Sequence, residues 1–144
     1  MSSTLYYEAL DPMTLTPRLG VATNVYFRDV AADYWAFSWV EALADARLTA
    51  GCGSDTYCPL AAVSRAQMAV FLLRGLHGAG FAPPAATGTM FTDVPASHPF
   101  APWIEELARE GITGGCSPTT YYPDATVTRD QMAVFLVRAF NLPI

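Results

Sequence analysis

The feature of this sequence that most constrains its fold is an internal repeat. Residues 27–76 align without a gap on residues 91–140, and roughly half of the ~50 aligned positions are identical. Phe27–Val30 falls on Phe91–Val94, and the same shift places a Gly-Cys pair and the nine residues 64–72 on their counterparts. Each copy is therefore one supersecondary module. We predict an extended N-terminal arm at 1–26, a first repeat at 27–76, a linker rich in Gly, Ala and Pro at 77–90, and a second repeat at 91–144.

Each repeat is predicted to fold as helix, loop, helix. Apolar residues in the first half of each copy recur near helical spacing, which predicts an amphipathic helix. These residues are Trp39, Val40, Leu43 and Leu48 in the first copy, and Trp103, Ile104, Leu107 and Ile112 in the second. We expect Asp33 and Ser97 to cap the starts of these helices. Gly51 and Gly115 follow the helices and predict a turn.

The second helix of each repeat has a clearer start. Ser64 to Gln67 and Thr128 to Gln131 are capping boxes, in which a hydroxyl and a Gln three residues later satisfy free N–H groups reciprocally. The apolar residues that follow predict buried stripes, with Met68, Phe71 and Leu72 in one helix and Met132, Phe135 and Leu136 in the other. The predicted fold is mainly α, with two tandem helix-loop-helix repeats and short extended segments near residues 27–30, 57, 91–94 and 121.

Composition narrows the classes of function. Apolar residues make up 52% of the chain and charged residues 15%, which is unlike a disordered acidic tail. The 8 Lys and Arg and a net charge of −5 argue against a nucleic-acid partner. No run approaches the ~20 apolar residues that span a bilayer. No nucleophile elbow, phosphate loop or metalloprotease motif occurs, so we expect no enzyme activity, no cofactor and no metal.

The three cysteines indicate a redox compartment. Cys52 and Cys58 flank a short loop that contains Gly53 and Asp55, and such a turn brings two Cβ atoms within disulfide range. Two free thiols are the alternative, whereas a zinc site needs about four ligands and the chain has 2 His. A disulfide would indicate an oxidising, extracellular setting. Cys116 is then left as a free thiol.

The order of these motifs resembles the S-layer homology (SLH) domain. The motifs are Phe-x-Asp-Val, an aromatic-rich first helix, Gly-Cys-x4-Tyr-x-Pro, and Ser/Thr-Arg-x-Gln before an apolar helix, and they recur in that order in both repeats. The form with the Gly-Cys pair is similar to a cysteine-bearing subtype found in bacterial exported proteins. The resemblance implies a non-catalytic, cell-surface module. Many family members bind a secondary cell-wall polysaccharide, often pyruvylated, and so anchor S-layer proteins and exoenzymes.

The resemblance also implies which residues meet the glycan. The family motif is typically Thr-Arg-Ala-Glu, whose Arg reaches the acidic polymer, and Arg65 and Arg129 match that Arg. Gln67 and Gln131 stand where Glu is usual. Family modules usually combine three repeats around a pseudo-threefold axis, whereas two are visible here. The resemblance implies an exported protein. Residues 1–26 contain no signal-peptide pattern, so we expect that the signal has been removed or lies on a longer parent chain.

The candidate glycan-binding residues each have an alternative structural role. They are Arg65, Arg129, Asp29, Asp93, Trp39 and Trp103. A cation is disfavoured at a helix N-terminus, so each Arg should have either a carboxylate partner, such as Asp29 or Asp93, or an anionic ligand that it binds in a bidentate fashion. Each Asp is suited to hold loop N–H groups. The tryptophans lie on predicted core stripes and are alternatively platforms for a sugar ring.

Two functions fit these expectations. The first is anchoring through an acidic cell-wall polysaccharide. The second is a structural subunit that assembles with copies of itself into a filament, sheath or surface layer. Two repeats expose the faces that a third would cover, which favours a homo-oligomer or polymer.

Overall fold

The computed structural model describes residues 26–144, so the predicted N-terminal arm lies outside the described residues except for Tyr26. The described part is mainly helical, as predicted. Its helices are α1 (Phe37–Asp45), α2 (Arg65–His77), α3 (Ala101–Arg109) and α4 (Arg129–Ala139). Extended structure in residues 26–144 is limited to two isolated antiparallel bridges, Gly53 with Thr56 and Ser64 with Thr126. In the same range no helix has the length and apolar character needed to cross a membrane.

The first helix of each repeat begins differently from the prediction. Neither α1 nor α3 has a side-chain cap, so the expected N-caps at Asp33 and Ser97 are wrong. A backbone turn precedes the helix instead, in which the N–H of Phe37 donates to the carbonyl of Tyr34 at 2.9 Å. The turn satisfies N–H groups that a capping side chain would otherwise have to satisfy.

The second helix of each repeat begins as predicted. The Ser64 hydroxyl accepts from the Gln67 N–H at 3.1 Å, and the Gln67 side-chain oxygen accepts from the Ser64 N–H at 2.9 Å. Thr128 and Gln131 form the same pair of bonds. Both capping boxes are therefore confirmed.

The described residues divide into two compact units, with the boundary after Ala61. In the first unit, a small core is formed by Phe27, Val30, Phe37, Val40 and Ala44. Its loop turns at Gly51, where φ is +86° and a Cβ atom would lie 2.2 Å from the Thr56 carbonyl oxygen. Trp39 does not join this core as its stripe predicts, because its side chain lies 49% exposed.

The second unit contains α2 together with α3 and α4. Its core combines α2, α3, α4 and the Tyr121 loop, through the buried residues Ala66, Met68, Ala69, Leu72, Leu73, Phe91, Val94, Ala101, Ile104, Leu107, Ile112, Tyr121 and Phe135. The second helix of the first repeat thus packs with the second repeat. The boundary between the repeats in the sequence and the boundary between the packed units lie at different places.

The two second helices are buried to different extents despite nearly identical sequences. Met68 and Leu72 of α2 are buried, as predicted, whereas Phe71 is only half-buried. On α4 the prediction holds for Phe135, whereas Leu136 is 39% exposed and Met132 is only half-buried. The reason is that α2 packs along α3, while the face of α4 that carries Leu136 is open to solvent.

Candidate functional site

Arg65, the first residue of α2, is the best-buried cation of the described chain. Its side chain is only 4% exposed, and its Nε donates to the Tyr121 carbonyl at 2.7 Å. The guanidinium lies 4.5 Å from the centre of the Tyr121 ring and 5.3 Å from that of Phe135. Within residues 26–144 it forms no ion pair with a carboxylate. The predicted partners Asp29 and Asp93 have another role.

Tyr121 completes a reciprocal contact with this arginine. Its hydroxyl donates to the Arg65 carbonyl at 2.9 Å. Burial raises the pKa of Tyr121 far above its ordinary value, and the nearby Arg65 charge offsets only part of this effect. The phenol therefore stays protonated and keeps donating across the physiological pH range.

A pocket of about 310 Å³ opens beside Arg65 in the second unit. The loop after α3 forms one wall and α4 forms another. Its lining residues are Arg65, Ile112, Thr113, Gly114, Gly115, Cys116, Gln131, Val134, Phe135 and Arg138. Gly115 is required at the loop wall, because its φ is +88° and a Cβ atom would lie 2.6 Å from the Thr120 carbonyl oxygen.

The lining of this pocket is suited to an anion. It contains two guanidinium groups, from Arg65 and Arg138, and no Asp or Glu side chain among the described residues. The buried apolar residues Ile112 and Phe135 form part of the same lining. A guanidinium in a partly dry setting binds a carboxylate with two parallel hydrogen bonds. The arrangement can therefore bind an acidic group on a small, ring-sized ligand.

Asp29 and Asp93 lie in the loops and hold backbone N–H groups. The Asp93 carboxylate accepts from Tyr121 N at 2.9 Å and from Tyr122 N at 2.8 Å. Asp29 accepts in the same way from the N–H groups of residues 57 and 58, each at 2.8 Å, and the first of these bonds is the main reason that the pKa of Asp29 is lowered. Each carboxylate thus fixes the loop of its own repeat, which was the alternative role for these residues.

The remaining predicted residues lie outside the pocket lining. Trp103 is partly buried, with the Arg74 guanidinium 5.4 Å from its ring centre, while Trp39 and Arg129 are exposed. Arg138 belongs to the pocket but was not predicted. The repeat could have pointed to it. Arg138 corresponds to Arg74, both follow the same Met-Ala-Val-Phe-Leu segment, and an arginine kept in both copies is a candidate for a specific role.

The cysteines are arranged as predicted. Cys52 and Cys58 form a disulfide with their Cα atoms 6.0 Å apart, and Cys116 is a free thiol. The Cys116 thiol donates to the Tyr121 carbonyl at 3.5 Å. The described residues contain no cluster of His, Cys, Asp and Glu that could hold a metal ion.

Comparison with known proteins supports a family assignment. The family model described as the S-layer homology domain matches twice, at residues 26–69 and 91–133. An endoglucanase from Bacillus sp. (strain KSM-635) is 29% identical over 96% of this chain, and a surface-layer 125 kDa protein from Lysinibacillus sphaericus is 31% identical over 72% of it. The chain spans only 14% and 8% of the length of these two relatives. Together, the duplicated motifs, the two capping boxes and the two family-model matches place this chain in the S-layer homology domain family.

Proposed function

We propose that this chain is a non-catalytic module that holds a protein at the bacterial cell surface by binding an acidic cell-wall polysaccharide. SLH domains are cell-surface anchoring modules, and the chain belongs to that family. One relative is named an endoglucanase and the other a surface-layer protein. A short segment shared by two such different proteins suits a common anchoring role rather than the chemistry of either.

The observation that carries the polysaccharide proposal is the pocket with two arginines. Arg65 is fixed by the Tyr121 carbonyl, which aligns its guanidinium before any ligand arrives. Arg138 is exposed at the mouth of the same pocket and can close on a carboxylate. Because the Arg65 guanidinium is already held in place, ordering it on binding costs less conformational entropy than ordering a solvated side chain would. The ligand class we propose is a sugar polymer that bears carboxylate groups, such as uronate or pyruvyl groups.

Binding to isolated cell-wall polymer tests this proposal. We expect Arg138→Ala to weaken binding about 10-fold or more, because the variant loses a charge-assisted hydrogen-bonded pair with the ligand. Its melting temperature should not change. Arg28→Ala is the matched control, because Arg28 is exposed and lies outside the pocket. Chemical reduction of the carboxyl groups on the polymer should have the same effect as Arg138→Ala. Equal binding by wild type and Arg138→Ala, before and after carboxyl reduction, would exclude this ligand class.

The second candidate function is a structural subunit of a surface polymer. The observation that favours it is the open face of α4, where Leu136 is exposed although its counterpart Leu72 is buried. The two functions are compatible, because the pocket and this face use mostly different side chains.

A further inference from the structure

The contact between α2 and the second repeat joins two successive repeats of the chain. Beside the reciprocal bonds of Arg65 and Tyr121, the N–H of Arg65 donates to the Ala125 carbonyl at 2.8 Å, and that of Ala66 donates to the Pro123 carbonyl at 2.9 Å. The start of α2 is thus bonded to the loop of the next repeat. Its free N–H groups are satisfied by that loop rather than by water.

The same contact continues along α2. Ala69, Leu72 and Leu73 are buried in the core that also contains Ile104 and Leu107 of α3. At the far end the Arg74 guanidinium lies over the Trp103 ring. One helix face therefore supplies an arginine at each end and apolar residues between them, and the next repeat supplies a Tyr, a Trp and an apolar helix.

Helix α4 carries a similar face, with Asp130 in place of the buried Ala66, and most of this face is exposed, although Met132 and Val137 are half-buried. Its sequence differs from that of α2 only at two of the ten positions that run from Arg65 to Arg74. We define the docking face of α4 as the residues Arg129, Met132, Ala133, Leu136 and Val137. Arg129 is exposed where Arg65 is buried, and no carbonyl in residues 26–144 accepts a bond from its N–H, unlike that of Arg65.

The first repeat carries a copy of the surface that receives α2. Tyr57 occupies the position of Tyr121, and Asp29 holds its N–H as Asp93 holds that of Tyr121. Tyr57 packs 5.2 Å from Phe27, matching the 5.5 Å between Tyr121 and Phe91. The receiving face of the first repeat consists of Trp39, Leu43, Tyr57 and Pro59, whereas the neighbouring Val40 is buried in the small core of the first unit. Trp39 is 49% exposed on the receiving face, and Tyr57 is less buried than Tyr121.

We propose that the docking face of α4 binds the receiving face of the first repeat in a second copy of this chain. Arg129 would donate to the Tyr57 carbonyl, as Arg65 donates to the Tyr121 carbonyl within the second unit. The two faces are complementary because the chain already contains one completed example of their contact. They are different surfaces, so the contact is heterologous and leads to a chain or a closed ring of copies.

A complementation experiment tests this proposal with the full chain. Arg129→Glu combined with Leu136→Asp removes the docking face, and Trp39→Ala combined with Tyr57→Ala removes the receiving face. Sedimentation velocity should show that the wild type grows with concentration into species larger than a dimer and that each double variant is monomeric. Each pair of substitutions should weaken the association between copies about 30-fold or more. An equimolar mixture of the two variants should form a dimer and nothing larger, because one intact contact remains.

The controls separate this contact from general surface effects and from glycan binding. Phe140→Ser changes a residue that directly follows α4, is 49% exposed and lies outside both the docking face and the pocket, and Trp35→Ala removes a tryptophan that is 81% exposed outside the receiving face. Both should assemble as the wild type does. Arg129 and Leu136 do not line the pocket, so their variants should retain polysaccharide binding. Loss of assembly and loss of glycan binding are therefore distinguishable.

Several results would overturn the proposal. One is a wild type that stays monomeric at high concentration, which would mean that the docking face is covered within the same chain. Another is assembly that persists in the docking-face variant, since a different surface would then be responsible. Circular dichroism identifies any variant that fails to fold, and the milder changes Arg129→Gln and Leu136→Ser then replace it in the same mixture.

Discussion

Arg65 and Tyr121 bond to each other twice across 56 positions of sequence, with the arginine Nε on the tyrosine carbonyl and the tyrosine hydroxyl on the arginine carbonyl. Each residue thus donates a side-chain group to the backbone of the other. The pair links the first turn of α2 to the loop of the second repeat, and it fixes the guanidinium at the wall of the pocket.

Tyr121→Phe tests the stabilising effect of this pair. The change removes one buried hydrogen bond and leaves the Arg65 carbonyl without that donor, so we expect a loss of about 1 kcal/mol in the free energy of unfolding. Tyr122→Phe is the matched control, because Tyr122 is 53% exposed, and its effect should be near zero. Urea denaturation of both variants measures the difference. Equal stabilities for the two would show that the hydroxyl bond is unimportant.

The equivalent residues Glu41 and Glu105 should respond to pH in opposite directions. Burial acts to raise the pKa of Glu105, but hydrogen bonds from the N–H groups of Thr87 and Gly88, and from the Thr87 hydroxyl, outweigh it and lower the pKa below its ordinary 4.5. Burial raises the pKa of Glu41, and the Tyr26 N–H offsets this only in part.

The sign of each effect follows from linkage. Because its folded pKa is lowered, Glu105 stabilises the fold fully above pH 4.5, and this contribution is lost as the pH falls through the folded pKa. Because its folded pKa is raised, Glu41 becomes a cost as the pH rises above 4.5. At pH 7 we expect Glu105→Gln to destabilise the chain by about 2 kcal/mol, as the loss of charge-assisted bonds predicts, and Glu41→Gln to stabilise it. Unfolding measured from pH 3 to 7 checks both, and parallel pH profiles for the two variants would contradict this prediction.

The disulfide of the first repeat should be transferable to the second. Tyr122 occupies the position of Cys58, and their φ angles are 58° and 59°. Cys116 matches Cys52, and each donates its N–H to a carbonyl four residues later at 2.8 Å. We therefore expect Tyr122→Cys to form a disulfide with Cys116 and to stabilise the chain by about 2 kcal/mol, the value for closing so short a loop.

Thiol titration of the unreduced, denatured protein checks this prediction. Wild type should show one free thiol per chain, from Cys116, and the Tyr122→Cys variant none. Two titratable thiols in the variant would mean that the loops of the two repeats differ in geometry. Peptide mapping without reduction would confirm the Cys52–Cys58 pair in both proteins.

The capping boxes should contribute similar amounts to stability in both repeats. Ser64→Ala and Thr128→Ala each remove the hydroxyl that accepts from the N–H three residues later, at a cost of about 1 kcal/mol. Ser64→Gly should cost only a few tenths. Gln67→Glu keeps the acceptor for the Ser64 N–H and should be neutral or slightly stabilising. Thermal melts of these variants measure the effects, and a destabilised Gln67→Glu would contradict the reciprocal bond.

The sequence predicted the features that depend on nearby residues. The capping boxes, the disulfide and the order of helices were foreseen because the residues that form them lie within a few positions of each other. Features that depend on the packing partner were not foreseen. Leu72 and Leu136 have the same local sequence but different burial, because α2 packs along α3, whereas the face of α4 that carries Leu136 is open in the described part of the chain. Arg138 was not predicted, because an arginine in the last turn of a helix has the same sequence pattern whether it is solvated or lines a pocket.

The offset between repeat and packed unit has a consequence for how such proteins evolve. The copied segment ends after α2, yet α2 belongs to the core of the segment that follows. A cut in the linker at 77–90 would therefore leave one fragment with an unburied helix and the other with half a core. When duplication inserts another whole copy, however, the second helix of each repeat contacts a loop equivalent to the Tyr121 loop that α2 already contacts. Lengthening by complete copies thus requires no new contact surface, because each added copy brings both a helix to be received and a loop that receives one.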